Sequence, residues 1–217
     1  MADSMTTPPA DRRSLRTRAA LRDALIQLIA ERGWDDIAVQ DVCERANIGR
    51  STFYAHYPNK DALLVGGFED LRGELQRHAA ANPVPLQSAR QPVAGFRFAP
   101  GLIEHAHEHR KVFRGMIGRR SGYVVQQRFR EMVVSLIDDE LPRNTGAMPR
   151  QAAARWLAGA FVELLAWWVE QRAPMAPAAL AALMNELAQP VLSPPSSASA
   201  TRAASTGACR LEQPIRG

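Results

Sequence analysis

The stretch VQDVCERANIGRSTFYAHYPNK at residues 39–60 constrains the fold more than any other part of the chain. Its first half spaces apolar residues on one face of a short helix: Val39, Val42, Cys43 and Ala46. Gly49 then suits a turn or a helix N-cap, because glycine adopts backbone conformations that cost other residues. A second helix is predicted from Arg50 to Tyr57, and the proline that follows ends it. Two short helices joined by a glycine-containing turn are typical of a helix-turn-helix motif, whose second helix fits the major groove of DNA.

The second helix carries side chains suited to DNA contact. Phe53 is apolar and is expected to face inward, while most of its neighbours are polar or amphipathic. Arginine donates as a fork to guanine, threonine offers a methyl group to thymine, and hydroxyl groups bond phosphate oxygens. Base or groove-edge contacts are therefore predicted for Arg50, Ser51 and Thr52, and contacts to the DNA backbone for Tyr54, His56, Tyr57, Lys60 and Gln40. The alternative is a helical hairpin in an ordinary all-α domain, with a solvated polar face.

The run IGRSTFYAHYPNKDAL at residues 48–63 resembles the signature of the TetR family of bacterial transcriptional regulators. The similarity extends from Arg16 to roughly Arg72, about one quarter of the chain. It rests on a Thr-aromatic-Tyr core, a second aromatic residue, and a lysine followed by an acidic residue and a leucine, all at family spacing. Gly49 departs from the serine cap of many members. The resemblance implies that the second helix is the recognition helix, and that the residues commonly touching DNA are Thr52, Tyr54, His56 and Lys60.

The remaining sequence predicts an all-α protein, and its apolar content of 46% is ample for a core. A first helix is expected over Leu15–Arg32, with one apolar stripe made of Leu21, Ala24, Leu25, Leu28 and Ile29. A helix from Asp61 to about Ala80 is apolar on more than one side, so we expect it to contact both domains. Proline and glycine residues bound five further predicted helices, at about 101–109, 111–118, 121–141, 149–172 and 177–190, after a predicted loop at 87–100.

These features divide the chain into four predicted parts. They are a disordered arm at 1–13, a helix-turn-helix DNA-binding domain at 14–60 with its motif at about 38–57, a helical effector-binding and dimerisation domain at 61–192, and a disordered tail at 193–217.

Charge supports DNA binding through its position more than its amount. The net charge is +5, but residues 1–60 contain nine Lys or Arg against eight Asp or Glu. Arginines cluster at the start of the first helix, where a basic arm could follow the phosphates or enter the minor groove: Arg12, Arg13, Arg16, Arg18 and Arg22. A solvated arginine face is the alternative.

The sequence predicts a cytoplasmic protein. Cys43 and Cys209 provide no disulfide framework, which fits a reducing compartment. The N-terminus does not resemble a secretory signal. The longest apolar run, Trp156–Val169, is too short and too charged to be predicted as a membrane span.

The last two predicted helices carry wide apolar faces and could pair with the same two helices of a second copy. The alternative is that both bury these faces within their own domain. We favour a homodimer, because a palindromic DNA operator requires a two-fold symmetric reader. The second domain is also expected to hold an unknown small-molecule effector, in an apolar pocket lined by Phe96, Phe113, Met116, Tyr123, Phe129, Trp156, Phe161 and Trp167.

The sequence HAHEH at residues 105–109 contains an H-x-x-E-H pattern, which in metallopeptidases supplies two zinc ligands and a general base. No distant acidic ligand is identifiable, so we favour a polar helix end and predict no metal and no cofactor. Nucleotide-binding and hydrolase motifs are not found. The sequence therefore predicts a DNA-binding transcriptional regulator and no enzyme; the resemblance implies a repressor released by an effector. A metal-dependent helical enzyme using His105, Glu108 and His109 remains the alternative, beside an interaction protein whose motif no longer binds DNA.

Overall fold

The computed structural model describes residues 9–81, 95–117, 122–141 and 148–192. Within these ranges the chain forms nine α-helices and no strand, which confirms the predicted all-α class. The helices are α1 Pro9–Arg32, α2 Val39–Ala46, α3 Arg50–His56, α4 Lys60–Ala81, α5 Phe98–Glu108, α6 Arg110–Ile117, α7 Tyr123–Glu140, α8 Arg150–Glu170 and α9 Pro177–Leu192.

The first three helices pack around the apolar stripe of α1. All five residues predicted for this stripe are buried, because the 3.6-residue period places them on one face. Val42 of α2 and Phe53 of α3 are fully buried in the same core. Trp34 and Ile37, in the segment between α1 and α2, are buried with them. The helix-turn-helix is thus anchored on α1 by apolar side chains.

Two helices begin earlier than the sequence predicted. α1 begins at Pro9 instead of Leu15, so residues 9–13 of the predicted disordered arm are helical. α5 begins at Phe98, inside the predicted loop, with Pro100 in its first turn. Proline is tolerated in a first helical turn, because the amide hydrogens there have no partner within the helix. The predicted tail at 193–217 and the first eight residues lie outside the described part of the chain.

The turn between α2 and α3 owes its shape to Asn47. Its φ of 52° lies in the left-handed region, where it ends α2. The amide of Ile48 donates to the Cys43 carbonyl over 2.9 Å and closes the turn. Gly49 is the N-cap of α3 with an ordinary φ of −65°. The prediction that Gly49 is a helix N-cap is therefore confirmed, but the left-handed conformation belongs to Asn47, since asparagine tolerates that region better than most residues.

α4 connects the first three helices to the rest of the molecule, as its two-sided apolar pattern predicted. Leu63 and Leu64 are buried near its start, where it packs beside α1. One turn further along, the ring of Phe68 lies 5.9 Å from that of Phe129 in α7. α7 in turn packs along α8, and α5 packs against α9.

α1 and α6 approach one another closely at Ala30 and Gly115. A Cβ atom built on Gly115 would lie 2.5 Å from the Ala30 Cα atom and 2.8 Å from its Cβ atom. No side chain fits there without displacing backbone, so glycine is required for this approach. α1, which carries the helix-turn-helix, is thereby held directly against the second half of the fold.

We expect Gly115→Ala to lower the free energy of unfolding by about 1–3 kcal/mol, because the two helices must separate to admit the methyl group. Gly73→Ala in α4 is the matched control, since nothing lies within 4 Å of a Cβ atom built there. The free energy of unfolding of this control should rise by roughly 0.5–1 kcal/mol, because alanine lowers the entropy of the unfolded chain. Urea denaturation at one fixed protein concentration measures both changes. Equal stability of Gly115→Ala and the parent protein would contradict the close approach of α1 and α6.

Candidate nucleic-acid interface

The outer surface of α3 brings four of the predicted DNA-contacting residues together. Arg50, Ser51, Thr52 and Tyr54 are exposed, and Tyr54 exposes 52% of its surface. Phe53, between them in sequence, is fully buried and fixes the rotation of the helix. Since α3 begins at Arg50, its exposed N-terminal turn presents a guanidinium and two hydroxyl groups side by side. These groups are suited to base edges and phosphates.

Two ion pairs fix α2 relative to α1. Arg45 donates two parallel hydrogen bonds to Glu31, over 2.9 Å and 2.7 Å. Arg32 donates to Asp41 over 3.2 Å. The Asp41 carboxylate also accepts the Ala38 amide over 2.7 Å, and this hydrogen bond is the main reason that the pKa of Asp41 is lowered. Sequence analysis missed these residues, which orient the motif without facing its outer surface.

Gln40 lies in the first turn of α2 and is exposed, as a backbone contact requires. Its amide nitrogen donates to the Glu44 carboxylate over 2.8 Å.

Lys60 has a different environment from the one that the sequence suggested. Its ammonium group donates to the carbonyl oxygens of Trp34 and Ile37 over 2.9 Å and 2.8 Å. It also lies 4.4 Å from the centre of a Trp34 ring, within cation–π range. Two of its three donors are thus used to tie the start of α4 to the segment between α1 and α2. One donor remains for the predicted phosphate contact.

His56 and Tyr57 end the motif and are half-buried. The Tyr57 ring packs beside Gly66 of α4, since a Cβ atom built on Gly66 would lie 3.2 Å from it. Burial raises the pKa of Tyr57. Tyr57 therefore packs α3 against α4, while Tyr54 is the more accessible of the two tyrosines.

The arginine cluster divides along α1. Its first four members are exposed on α1, and the first two of them belong to the part of the predicted arm that is helical: Arg12, Arg13, Arg16 and Arg18. Arg22 is half-buried and pairs with Asp70 of α4 over 3.2 Å and with Asp23 over 3.5 Å. Arg22 therefore belongs to the contact between α1 and α4.

The residues predicted to line one effector pocket are divided between two places. Four of them line a groove of about 480 Å³ along α8 and α9: Phe96, Trp156, Phe161 and Trp167. Trp156 and Trp167 expose 54% and 41% of their surfaces, so this groove is open. Tyr123 lines neither place, and it is 79% exposed at the start of α7.

The second cavity, of about 390 Å³, lies between α1, α4, α5 and α6 and includes Phe113 and Met116 of the predicted set. Phe129 is buried behind it, with its ring 5.9 Å from that of Phe113. The other apolar lining residues are Leu25, Ile26, Leu63, Leu64, Gly67, Phe68, Leu71 and Val112, and the polar ones are Arg22, Asp23, Gln27, Glu74, His105 and His109. Burial, and next the neighbouring His109, lower the pKa of His105.

α8 is the one helix in the described part of the chain that is long and apolar enough to cross a membrane, judged by length and composition alone. It extends over Arg150–Glu170 and is longer than the apolar run considered from the sequence. Half of the relevant window is buried inside the molecule, and core helices of soluble proteins have the same properties.

Two family profiles match the chain. The one described as bacterial regulatory proteins of the tetR family matches residues 21–65, and the one described as a transcriptional regulator C-terminal region matches residues 98–190. The chain belongs to the TetR family. Regulators of this family bind DNA and are not enzymes, so the metal-dependent enzyme is set aside.

Individual TetR-family relatives differ in how much of the chain they match. The uncharacterized HTH-type transcriptional regulator YxbF of Bacillus subtilis is 35% identical over 39% of this chain, and the match spans 23% of YxbF, about a quarter of its length. The HTH-type transcriptional regulator EthR of Mycobacterium tuberculosis is 27% identical over 73% of this chain and 79% of its own length.

Solved structures agree with the family assignment. A TetR transcriptional regulator from Streptococcus agalactiae is 26% identical, with a TM-score of 0.55 over 82% of this chain and 97% of its own. FadR from Bacillus subtilis, solved in complex with stearoyl-CoA, is 18% identical, with a TM-score of 0.57 over 78% of this chain and 96% of its own. At this identity the similarity shows the fold alone.

The contacts of Lys60 generate a prediction about stability. Lys60→Ala should lower the free energy of unfolding by about 1–3 kcal/mol, because two carbonyl oxygens lose a charged donor. Arg50→Ala should change it by less than about 0.5 kcal/mol, since its side chain lies on the open surface. Urea denaturation followed by circular dichroism distinguishes the two variants. If Lys60→Ala has the same free energy of unfolding as the parent protein, these two hydrogen bonds contribute little to stability. That result would favour a phosphate contact as the role of Lys60.

Proposed function

We propose that the protein is a sequence-specific, DNA-binding transcriptional repressor in the cytoplasm, released from its operator by a small-molecule effector. The observation that carries the proposal is the exposed polar surface of α3, held in place by buried Phe53. Membership of the TetR family supports it. In this proposal Arg50, Ser51 and Thr52 contact base edges or the groove edge, while Tyr54 contacts phosphate. Gln40, His56, Tyr57 and the third Lys60 donor extend the phosphate contacts on either side.

A second copy of the chain is the proposed occupant of the groove along α8 and α9. Trp156, Ala160, Leu164 and Trp167 follow one face of α8 at helical spacing, and two large indole groups there stay half exposed in the single chain. Leu187 of α9 continues the same apolar surface and is 59% exposed. An exposed apolar patch of this kind marks a protein interface. Pairing α8 and α9 with their copies forms a four-helix bundle and gives the two-fold symmetry that a palindromic operator requires.

The cavity between α1, α4, α5 and α6 is the proposed effector site. Its volume of about 390 Å³ lies within the usual range for small-molecule sites. Apolar side chains form most of its wall, and several charged or polar side chains also line it, so it suits a small, mostly apolar molecule with a polar group. Its walls include helices of the DNA-binding domain, and a ligand that prefers the non-binding arrangement would shift the population away from DNA.

DNA binding is tested with sequences selected from a random DNA library by the purified protein. Binding to the selected sequence should exceed binding to random DNA and should weaken steeply with salt. Arg50→Ala should lower the affinity for the selected DNA by roughly 5- to 150-fold and the affinity for random DNA only slightly, as expected for a lost base contact of about 1–3 kcal/mol. Tyr54→Phe should lower the affinity for selected and for random DNA by the same factor, as expected for a phosphate contact.

Equal losses on both DNAs for Arg50→Ala would count against its reading role. Parent protein that does not distinguish selected from random DNA would support an interaction protein whose motif no longer binds DNA. Compounds that release the selected DNA in the same assay are candidate effectors.

The dimer is tested by light scattering after size-exclusion chromatography. The parent protein should have twice the mass of one chain, and the double variant Trp156→Glu with Trp167→Glu should be monomeric, because it places two carboxylates in the apolar interface. Tyr123→Glu is the control, since Tyr123 is more exposed than either tryptophan and lies outside the groove. A double variant that remains dimeric would show that the interface lies elsewhere.

A further inference from the structure

The last turn of α5 brings together a group of metal-ligating side chains. His105, Glu108 and His109 each offer a ligand atom, and these atoms lie within 4.8 Å of one another. The imidazole ring centres of His105 and His109 are 4.6 Å apart. This proximity follows from the H-x-x-E-H spacing, which places all three side chains on one side of a single helical turn. The His109 amide donates to the His105 carbonyl over 3.0 Å, so a backbone hydrogen bond fixes the spacing of the two histidines.

The surroundings of this group favour a cation. His105 is half-buried, with its ring 5.7 Å from the Phe113 ring in an edge-on contact that restrains its orientation. Glu108 and His109 are exposed, so an ion can enter from solvent. The partial negative charge at the C-terminal end of α5 is offset by the start of α6 at Arg110, so the three side chains themselves must attract the ion.

Two further carboxylates face the same region from other helices. Asp23 of α1 and Glu74 of α4 line the cavity that His105 and His109 also line. The adjacent cation, Arg110, donates to the Arg172 carbonyl over 3.2 Å. Arg22 of α1 lines the cavity as well and pairs with Asp23 and Asp70, so Glu74 is the one of these two carboxylates that adds to the negative charge around His105.

The sequence favoured a polar helix end without a metal, but on this geometry we propose that His105, Glu108 and His109 bind one divalent first-row transition-metal ion, such as Zn²⁺ or Ni²⁺. Two imidazoles and one carboxylate suit these ions, and water completes the coordination. Ligand atoms around tetrahedral zinc lie about 3.3–3.5 Å apart, from bonds of roughly 2.0–2.1 Å. The exposed side chains of Glu108 and His109 close the remaining gap by rotating. The site goes beyond the proposed DNA-binding function and does not depend on it.

The test uses the full chain without a histidine tag, in a Cys209→Ser background that removes one thiol as a competing zinc ligand. After chelator treatment, titration with Zn²⁺ and Ni²⁺ by calorimetry should show one ion per chain. His109→Ala and Glu108→Gln should each weaken binding by roughly tenfold or more. His78→Ala, in α4 and outside the cluster, should bind as the parent does. The visible absorption of bound Co²⁺ should show nitrogen and oxygen coordination, and it should be lost in His109→Ala.

The proposal is overturned if the parent binds no stoichiometric ion, or if His109→Ala and Glu108→Gln both bind as tightly as the parent. Both substituted residues are exposed, and melting curves in metal-free buffer confirm that the variants fold. Binding of the metal-free parent to selected DNA is measured separately, so failure of the metal site and failure of the DNA-binding function are told apart.

Discussion

The contact between the backbones of α1 and α6 is the constraint on which the rest of the molecule depends. At Ala30 and Gly115 the two helices leave no room for a Cβ atom. The apolar stripe of α1 holds α2 and α3 on one side, so the proposed DNA surface of α3 is connected to α6 through a single continuous helix. A displacement of α6 must therefore move α1 or break this contact, since packed interiors do not deform continuously. A ligand that moves α6 in the cavity beside it would therefore also move α1 and the helices α2 and α3 that pack on α1.

Periodicity predicted the helices and their buried faces, because spacing along the chain determines which side chains share a face. It did not predict where α1 and α5 begin, since proline interrupts a helix in its interior and is tolerated in its first turn. Composition also could not decide between Gly49 and Asn47 as the left-handed residue of the motif. The sequence shows which residues tolerate the left-handed conformation. Which of them adopts it depends on the residue at which α2 ends, and that residue is Asn47.

The accessible part of the proposed DNA surface was predictable from residue types, as Arg50 and Tyr54 illustrate. Lys60 was not, because its carbonyl partners lie 26 and 23 residues away along the chain. The predicted pocket failed as a single site for a related reason. Aromatic residues on amphipathic helices are recognisable, but whether Trp156 faces the interior or a partner depends on how α8 packs, and that is a property of the whole fold.

The free energies of individual contacts indicate which of them an effector would need in order to release DNA. Moving a two-state equilibrium from 1:99 to 99:1 requires a difference in binding free energy of about 5.5 kcal/mol between the two states. Competing for Arg22 against Asp70 would contribute about 1 kcal/mol or less, because that ion pair is partly exposed. At roughly 25 cal/mol per Å² of apolar surface, the remainder corresponds to about 180 Å² of extra burial in the favoured state. Leu71, Phe113 and Met116 would therefore matter more for release than the charged lining residues, which would fix the orientation of the proposed effector.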